Sequence, residues 1–85
     1  MNNKITIISR PGCFYCAHAL KILEVSTSVD WGELIIDKDI SRDTVITEYP
    51  HNQKLPIVLL NDELLGEGTY ADLLDFIYPP LERKG

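Results

Sequence analysis

Cys13 and Cys16 are the chain's only cysteines, and they stand three positions apart, between a β-branched run and a helical stripe. That spacing removes one way of holding a small chain together. A disulfide stabilises by closing a long loop in the unfolded chain, and small disulfide scaffolds use distant pairs. A Cys-x-x-Cys bridge closes almost no loop. The fold must therefore rest on a hydrophobic core, and the value of the cysteine pair must lie in chemistry. The chain's 85 residues suffice for one domain, 1–85, and not for two. A domain of this size buries only about two-thirds of its unfolded surface, so its stability margin is thin.

The apolar residues fall in short runs that can be read in order. Lys4 to Ile8 is β-branched and leads into Ser9-Arg10-Pro11-Gly12, which reads as a strand ending in a turn. From Phe14 to about Val25 the positions Cys16, Ala17, Ala19, Leu20, Ile22 and Leu23 form a helical stripe, which Ser26-Thr27-Ser28 should end. Trp31 to Ile36 reads as a second strand. Ser41 to Tyr49 reads as a short helix with Ser41 as N-cap and Pro50 as its stop. Leu55 to Leu60 reads as a strand with proline near its beginning, Asn61-Asp62 as a hairpin turn, and Glu63-Leu64-Leu65 as the return. Thr69 to Ile77 reads as a last helix, with a T-x-x-D capping signal from Thr69 and Asp72 and with Pro79-Pro80 after it. The order β-α-β-α-β-β-α predicts an α/β fold, a four-stranded mixed sheet with helices on both faces. Its first crossover makes strands one and two parallel, and its hairpin makes the last two antiparallel.

Cys13 thus precedes the first turn of the first helix, where unpaired N–H groups and the helix dipole favour negative charge. A thiolate there gains stability, so its pKa should fall below the ~8.5 of a free thiol. Arg10 can add a positive charge nearby. Cys16 lies one turn further in and should be more buried. This predicts Cys13 as the attacking thiol and Cys16 as the resolving thiol. A zinc site would ask for four ligands. The only other Cys or His residues are His18, poorly spaced from Cys16, and His51, alone after Pro50, so no metal is expected.

Charge narrows the partners. A net charge of −5 argues against binding nucleic acid through its phosphates. The longest apolar runs, such as Ile57 to Leu60, are far short of the ~20 residues of a membrane span. The Met1-Asn2-Asn3-Lys4 start lacks the apolar core of a secretory signal, which makes the cytoplasm the expected location.

With these residues in view, the chain resembles the glutaredoxins, a family with the thioredoxin fold. Arg10-Pro11-Gly12-Cys13-Phe14-Tyr15-Cys16 resembles the family's active-site segment, where Cys-Pro-Tyr-Cys is common. Leu55-Pro56 resembles its Thr-Val-Pro segment, whose proline follows a cis bond. Gly66-Glu67-Gly68-Thr69-Tyr70-Ala71-Asp72-Leu73 resembles a worn form of its Gly-Gly segment. The resemblance implies a glutathione-dependent dithiol oxidoreductase without a tightly bound cofactor. Glutathione is its co-substrate, and disulfide-bearing proteins such as ribonucleotide reductase are its acceptors. It implies a monomer too. It places Arg10 at the glycyl carboxylate of glutathione and Tyr15 beside the tripeptide. Leu55 and Pro56 present unpaired backbone to a substrate strand. The N–H groups of Gly68, Thr69 and Tyr70 face the glutamyl carboxylate.

The departures matter as well. Phe14 stands where proline is common, and some glutaredoxins without that proline carry an iron–sulfur cluster between two subunits; that is one alternative. A redoxin served by thioredoxin reductase is another. A gap-free alignment puts Glu67 on the second glycine and Tyr70 on the residue that pairs with the glutamyl ammonium. A two-residue shift gives that role to Asp72 instead.

Overall fold

The computed structural model describes residues 3–26, 29–52 and 54–78. Thr27, Ser28, Pro79 and Pro80 lie outside them. Seven elements follow in chain order: β1 Lys4–Ser9, α1 Phe14–Val25, β2 Asp30–Ile35, α2 Arg42–Glu48, β3 Ile57–Leu60, β4 Glu63–Leu64 and α3 Tyr70–Ile77. The sheet order is β2-β1-β3-β4. β1 runs parallel to β2, with Lys4 opposite Asp30 and Ser9 opposite Ile35. It runs antiparallel to β3, which is antiparallel to β4 in turn. This is the four-stranded mixed α/β arrangement expected from the order of elements, and the thioredoxin-like fold that the resemblance implies.

Alternation along the central strands divides the core in two. Ile5 and Ile7 of β1 and Val58 of β3 point to one face, where they meet Ala19 and Leu23 of α1 and Leu73 of α3. Ile8, Ile57 and Leu59 point to the other face, where they meet Val45 of α2 and Ile36, the residue just after β2. A side-chain period of two in the strands is what puts helices on both sides. All six residues of the first cluster are fully buried. Trp31, on the outer strand β2, packs against that cluster half-buried, in keeping with a core or edge residue.

The turns follow their sequences. Asn61 and Asp62 both take positive φ, 52° and 72°, as a two-residue type I′ hairpin turn requires. Ser41 caps α2 by accepting the Thr44 N–H. Ser26 ends α1, its N–H reaching back to the Ile22 and Leu23 carbonyls. The strand expected from Leu55 begins only at Ile57. Pro56 has no N–H to give a ladder, and Leu55 makes no backbone hydrogen bond among the described residues.

Gly68 shows what the loop before α3 demands. Its φ is +74°, and a Cβ there would stand 2.5 Å from the Leu64 side chain and 3.3 Å from the Val58 carbonyl oxygen. That carbonyl lies in β3, and the Gly68 carbonyl accepts the Val58 N–H at 2.9 Å. The loop is thereby laced to the sheet, which fixes where α3 begins.

Candidate active site

The site begins with a turn. The Cys13 N–H reaches the Arg10 carbonyl at 3.3 Å, with Pro11 and Gly12 between them and Gly12 at φ +82°. Proline first and a positive-φ glycine second make a type II turn. It brings the chain out of β1 and delivers Cys13 as the N-cap of α1. The Cys13 sulfur accepts the Cys16 N–H at 3.2 Å. This is the bond a capping oxygen usually receives, so the sulfur sits where the helix end is most positive.

Cys13 and Cys16 are joined as a disulfide, with their Cα atoms 5.2 Å apart. The two sulfurs are not equivalent. Cys16 is only 2% exposed, whereas Cys13 is half-buried and lines a cavity of about 460 Å³ with Arg10, Tyr15, Lys54 and Leu55. Cys13 is thus the sulfur that a substrate can reach. The Leu55-Pro56 bond beside it is cis.

A neighbouring cavity of about 330 Å³ continues the groove past Tyr15, Leu55 and Pro56 to Thr69, Tyr70 and Ala71. The fold therefore brings together residues far apart in sequence: Arg10 and Tyr15 around the thiol, Leu55 and Pro56 on one side, Thr69 and Tyr70 at the far end. Gly68 is buried behind the groove and lines neither cavity.

At the far end, the capping box of α3 has used part of its donors. The Thr69 hydroxyl accepts the Asp72 N–H and donates to the Asp72 carboxylate, which also accepts the Thr69 and Glu67 N–H groups. The Gly68 N–H is spent on the Leu65 carbonyl. The Tyr70 and Ala71 N–H groups make no hydrogen bond among the described residues, so these two remain to meet an anion.

Partial burial pushes the Asp72 carboxyl up, but the hydrogen bonds from Thr69 and Glu67 outweigh it and hold the group below its ordinary value. A lowered carboxylate pKa means stability that is present above the unfolded pKa and lost as pH falls through the folded one. Asp72→Ala should cost about 1–2 kcal/mol at neutral pH, the loss of a cap and its bonds. In urea melts the gap to the parent should narrow below about pH 4. A gap equally wide at low pH would remove the carboxylate from this account.

Two residues, one lining the groove and one bonded to its wall, were not read from the sequence as site residues. Lys54 lines both cavities; its position just before Leu55-Pro56 was the available signal. His18 is exposed, as a surface helix residue should be, yet its Nδ1 lies 2.7 Å from the Tyr70 hydroxyl. The rings of Phe14 and His18 stack with centroids 6.0 Å apart, and Tyr15 and Tyr70 stand 5.4 Å apart. One aromatic wall thus joins α1 to the start of α3. The cavity around Cys13 has two cations on its lining, Arg10 and Lys54, and no acid, on a chain of net charge −5. The described residues hold no cluster of three or more His, Cys, Asp or Glu that could bind a metal, and no helix among them is long and apolar enough to cross a membrane.

No protein-family model matches the sequence, and no curated protein sequence matches it. Among solved structures the chain is similar to glutaredoxin 1 from Francisella tularensis, crystallised in complex with cacodylate. The two share 27% identity, and the match covers 84% of this chain and 87% of that one, with a TM-score of 0.61. A reachable sulfur capping α1, a buried sulfur one turn in, a cis proline beside them and this likeness over most of the chain all bear on one conclusion. The chain has a glutaredoxin-like form of the thioredoxin fold, and that fold together with the Cys13–Cys16 disulfide supports a thiol–disulfide oxidoreductase.

Proposed function

We propose that the protein reduces protein disulfides and glutathione mixed disulfides at the expense of glutathione, in the reducing cytoplasm and as a monomer. The observation that carries this is the unequal pair of sulfurs: Cys13 capping α1 and facing the groove, Cys16 buried behind it.

The reduced Cys13 thiolate attacks one sulfur of a substrate disulfide. A Cys13–substrate bond forms, and the substrate's other sulfur leaves as a thiolate that takes up a proton. Cys16, having lost its proton, attacks the Cys13 sulfur, forms the internal disulfide and releases the second substrate thiol. Two electrons pass from the dithiol to the substrate, and the oxidised protein carries the Cys13–Cys16 bond. One glutathione thiolate then opens that bond on Cys13. A second removes the first as glutathione disulfide, returning both electrons.

Glutathione suits the groove in charge. It has two carboxylates, and the groove offers Arg10 and Lys54 near the thiol and two free N–H groups at α3. Tyr15 and Tyr70 flank the path between them. Leu55, whose N–H and C=O make no backbone hydrogen bond among the described residues, can pair them with the tripeptide or with a substrate strand. Proteins that must be reduced in each turnover, of which ribonucleotide reductase is one, are the acceptors this chemistry fits.

The test is a coupled assay with glutathione, glutathione reductase and a small mixed disulfide. NADPH consumption is the expected result. No consumption would remove glutathione dependence, and activity restored by thioredoxin reductase would assign the protein to that reductase. The thiol itself can be titrated by its rate of alkylation. The reduced Cys13 should react with a midpoint below the ~8.5 of a free thiol. A midpoint at that value would mean the helix end does not hold the charge.

A further inference from the structure

Four aromatic rings close a circuit at the end of the groove. Phe14 meets Tyr15 edge to face with centroids 5.6 Å apart, and Tyr15 meets Tyr70 at 5.4 Å. His18 closes it, 6.0 Å from Tyr70 on one side and stacked on Phe14 at 6.0 Å on the other. Phe14, Tyr15 and His18 come from the start of α1, whereas Tyr70 opens α3. Tyr70 is therefore the joint between the two helices. It is half-buried and packs against the core cluster of Ile5, Leu23 and Leu73. Its hydroxyl is bonded to His18 Nδ1 at 2.7 Å, across 52 positions of sequence. Either neutral tautomer of His18 can make that bond, by accepting from the hydroxyl or by donating to it. The two partners stand differently toward the groove. Tyr70 lines its cavity of about 330 Å³, and the Tyr70 N–H is one of the two left free at α3. His18 lines neither cavity of the groove.

We propose that His18 is a positioning residue for glutathione recognition: its bond to the Tyr70 hydroxyl fixes the groove wall against which the glutamyl end of the tripeptide lies. The inference rests on the glutathione reading and deepens it with a residue that never meets the substrate. A tyrosine side chain has several staggered orientations, and a bond to a neighbouring helix selects one of them. Here the one selected sets the ring against Tyr15 and gives the cavity its wall at the α3 end. Without the bond the ring is freer to turn, and ordering it on binding costs affinity. The Phe14 stack holds the imidazole in turn, so the bond does not hang on a loose side chain. Neither cysteine belongs to the circuit, so the effect falls on recognition and not on the thiol.

The experiment follows the pre-reduced protein in single turnovers on two mixed disulfides of one peptide. One carries glutathione, the other cysteinylglycine, which lacks the glutamyl group. The readout is the ratio of their second-order rate constants, and the parent should prefer the glutathione form. His18→Phe keeps a stacked ring and loses the bond, and it should lower that ratio about fivefold, the size of one partly exposed hydrogen bond. Tyr70→Phe removes the same bond from the other side and should do the same, and the two together should do no more. His18→Asn carries an amide where Nδ1 stood and should stay close to the parent. A merely structural role would slow both disulfides alike and leave the ratio as it is. The proposal is overturned by an unchanged ratio in His18→Phe, by losses that multiply in the double variant, or by a His18→Asn as impaired as His18→Phe. A parent without preference would instead sink recognition of the glutamyl group, and the proposal with it. Urea midpoints check folding. Should His18→Phe fail to fold, Tyr70→Phe and His18→Asn decide the matter.

Discussion

Cys13→Ser should abolish every exchange reaction of the protein, while Cys16→Ser keeps turnover of glutathione mixed disulfides and loses reduction of dithiol substrates. The asymmetry follows from position. Cys13 caps α1, receives the Cys16 N–H and opens onto the groove. A serine hydroxyl can receive the same bond, so the fold survives. An alkoxide is out of reach near neutrality, and the loss of the nucleophile should lower the rate on the order of a thousandfold or more. Cys16 is 2% exposed and is bonded to the Cys13 sulfur. Without it the mixed disulfide on Cys13 must wait for an external thiol, which glutathione can supply and a bulky protein substrate cannot. A buried serine brings its own cost, about 1–3 kcal/mol if its hydroxyl finds no partner. Cys16→Ala separates that effect, because it removes the thiol without burying a hydroxyl. The measurement is the coupled assay run beside reduction of a protein disulfide. Activity in Cys13→Ser together with a dead Cys16→Ser would reverse the roles.

Much of this site is legible in the sequence because its parts are local. The turn Arg10-Pro11-Gly12 needs only a proline and a residue free to take positive φ, and it sets the sulfur at a helix start whatever the rest of the chain does. The hairpin at Asn61-Asp62 and the Thr69–Asp72 box are local in the same sense, each closed within a few residues. The long-range contacts were not legible. His18 and Tyr70 are 52 positions apart, and nothing in either neighbourhood announces their hydrogen bond. Lys54 gains its meaning only when the strand it precedes is laid antiparallel to β1, with Ile57 opposite Ile8. The donors at α3 illustrate a subtler limit. The sequence points to the end of the helix, but which N–H groups stay free depends on how Asp72 and Leu65 have taken the others. Charge behaves likewise. A net −5 describes the whole surface, yet the two cations lining the thiol cavity come from segments that the sequence separates by 44 positions, Arg10 and Lys54.

The site is also only as firm as the helix that closes its far end, and this makes Leu73 the most sensitive core position for function. Leu73 is fully buried in the cluster of Ile5, Ile7, Ala19, Leu23 and Val58, and it is the buried residue of α3. Leu73→Ala should cost about 2–5 kcal/mol, from lost transfer energy and the cavity left behind. At ~0.05–0.15 kcal/mol per residue, a chain of 85 residues has about 4–13 kcal/mol in all. The variant should therefore lose a large part of its stability, with an earlier urea midpoint and an unchanged slope. Tyr78→Ser, at a side chain 57% exposed just past α3, should stay within about 0.5 kcal/mol and serves as the control. The kinetic consequence is specific. α1 keeps its own anchors in Ala19 and Leu23, so attack by Cys13 on a small disulfide should persist wherever the variant is folded. The first turn of α3 carries Thr69, Tyr70 and the free N–H groups, so KM for glutathione substrates should rise while kcat holds. A stability loss under about 1 kcal/mol would mean that α3 does not pack on the sheet through Leu73. A fall in kcat at constant KM would mean that α3 bears on the thiol itself, and the division of labour between the two ends of the groove would have to be redrawn.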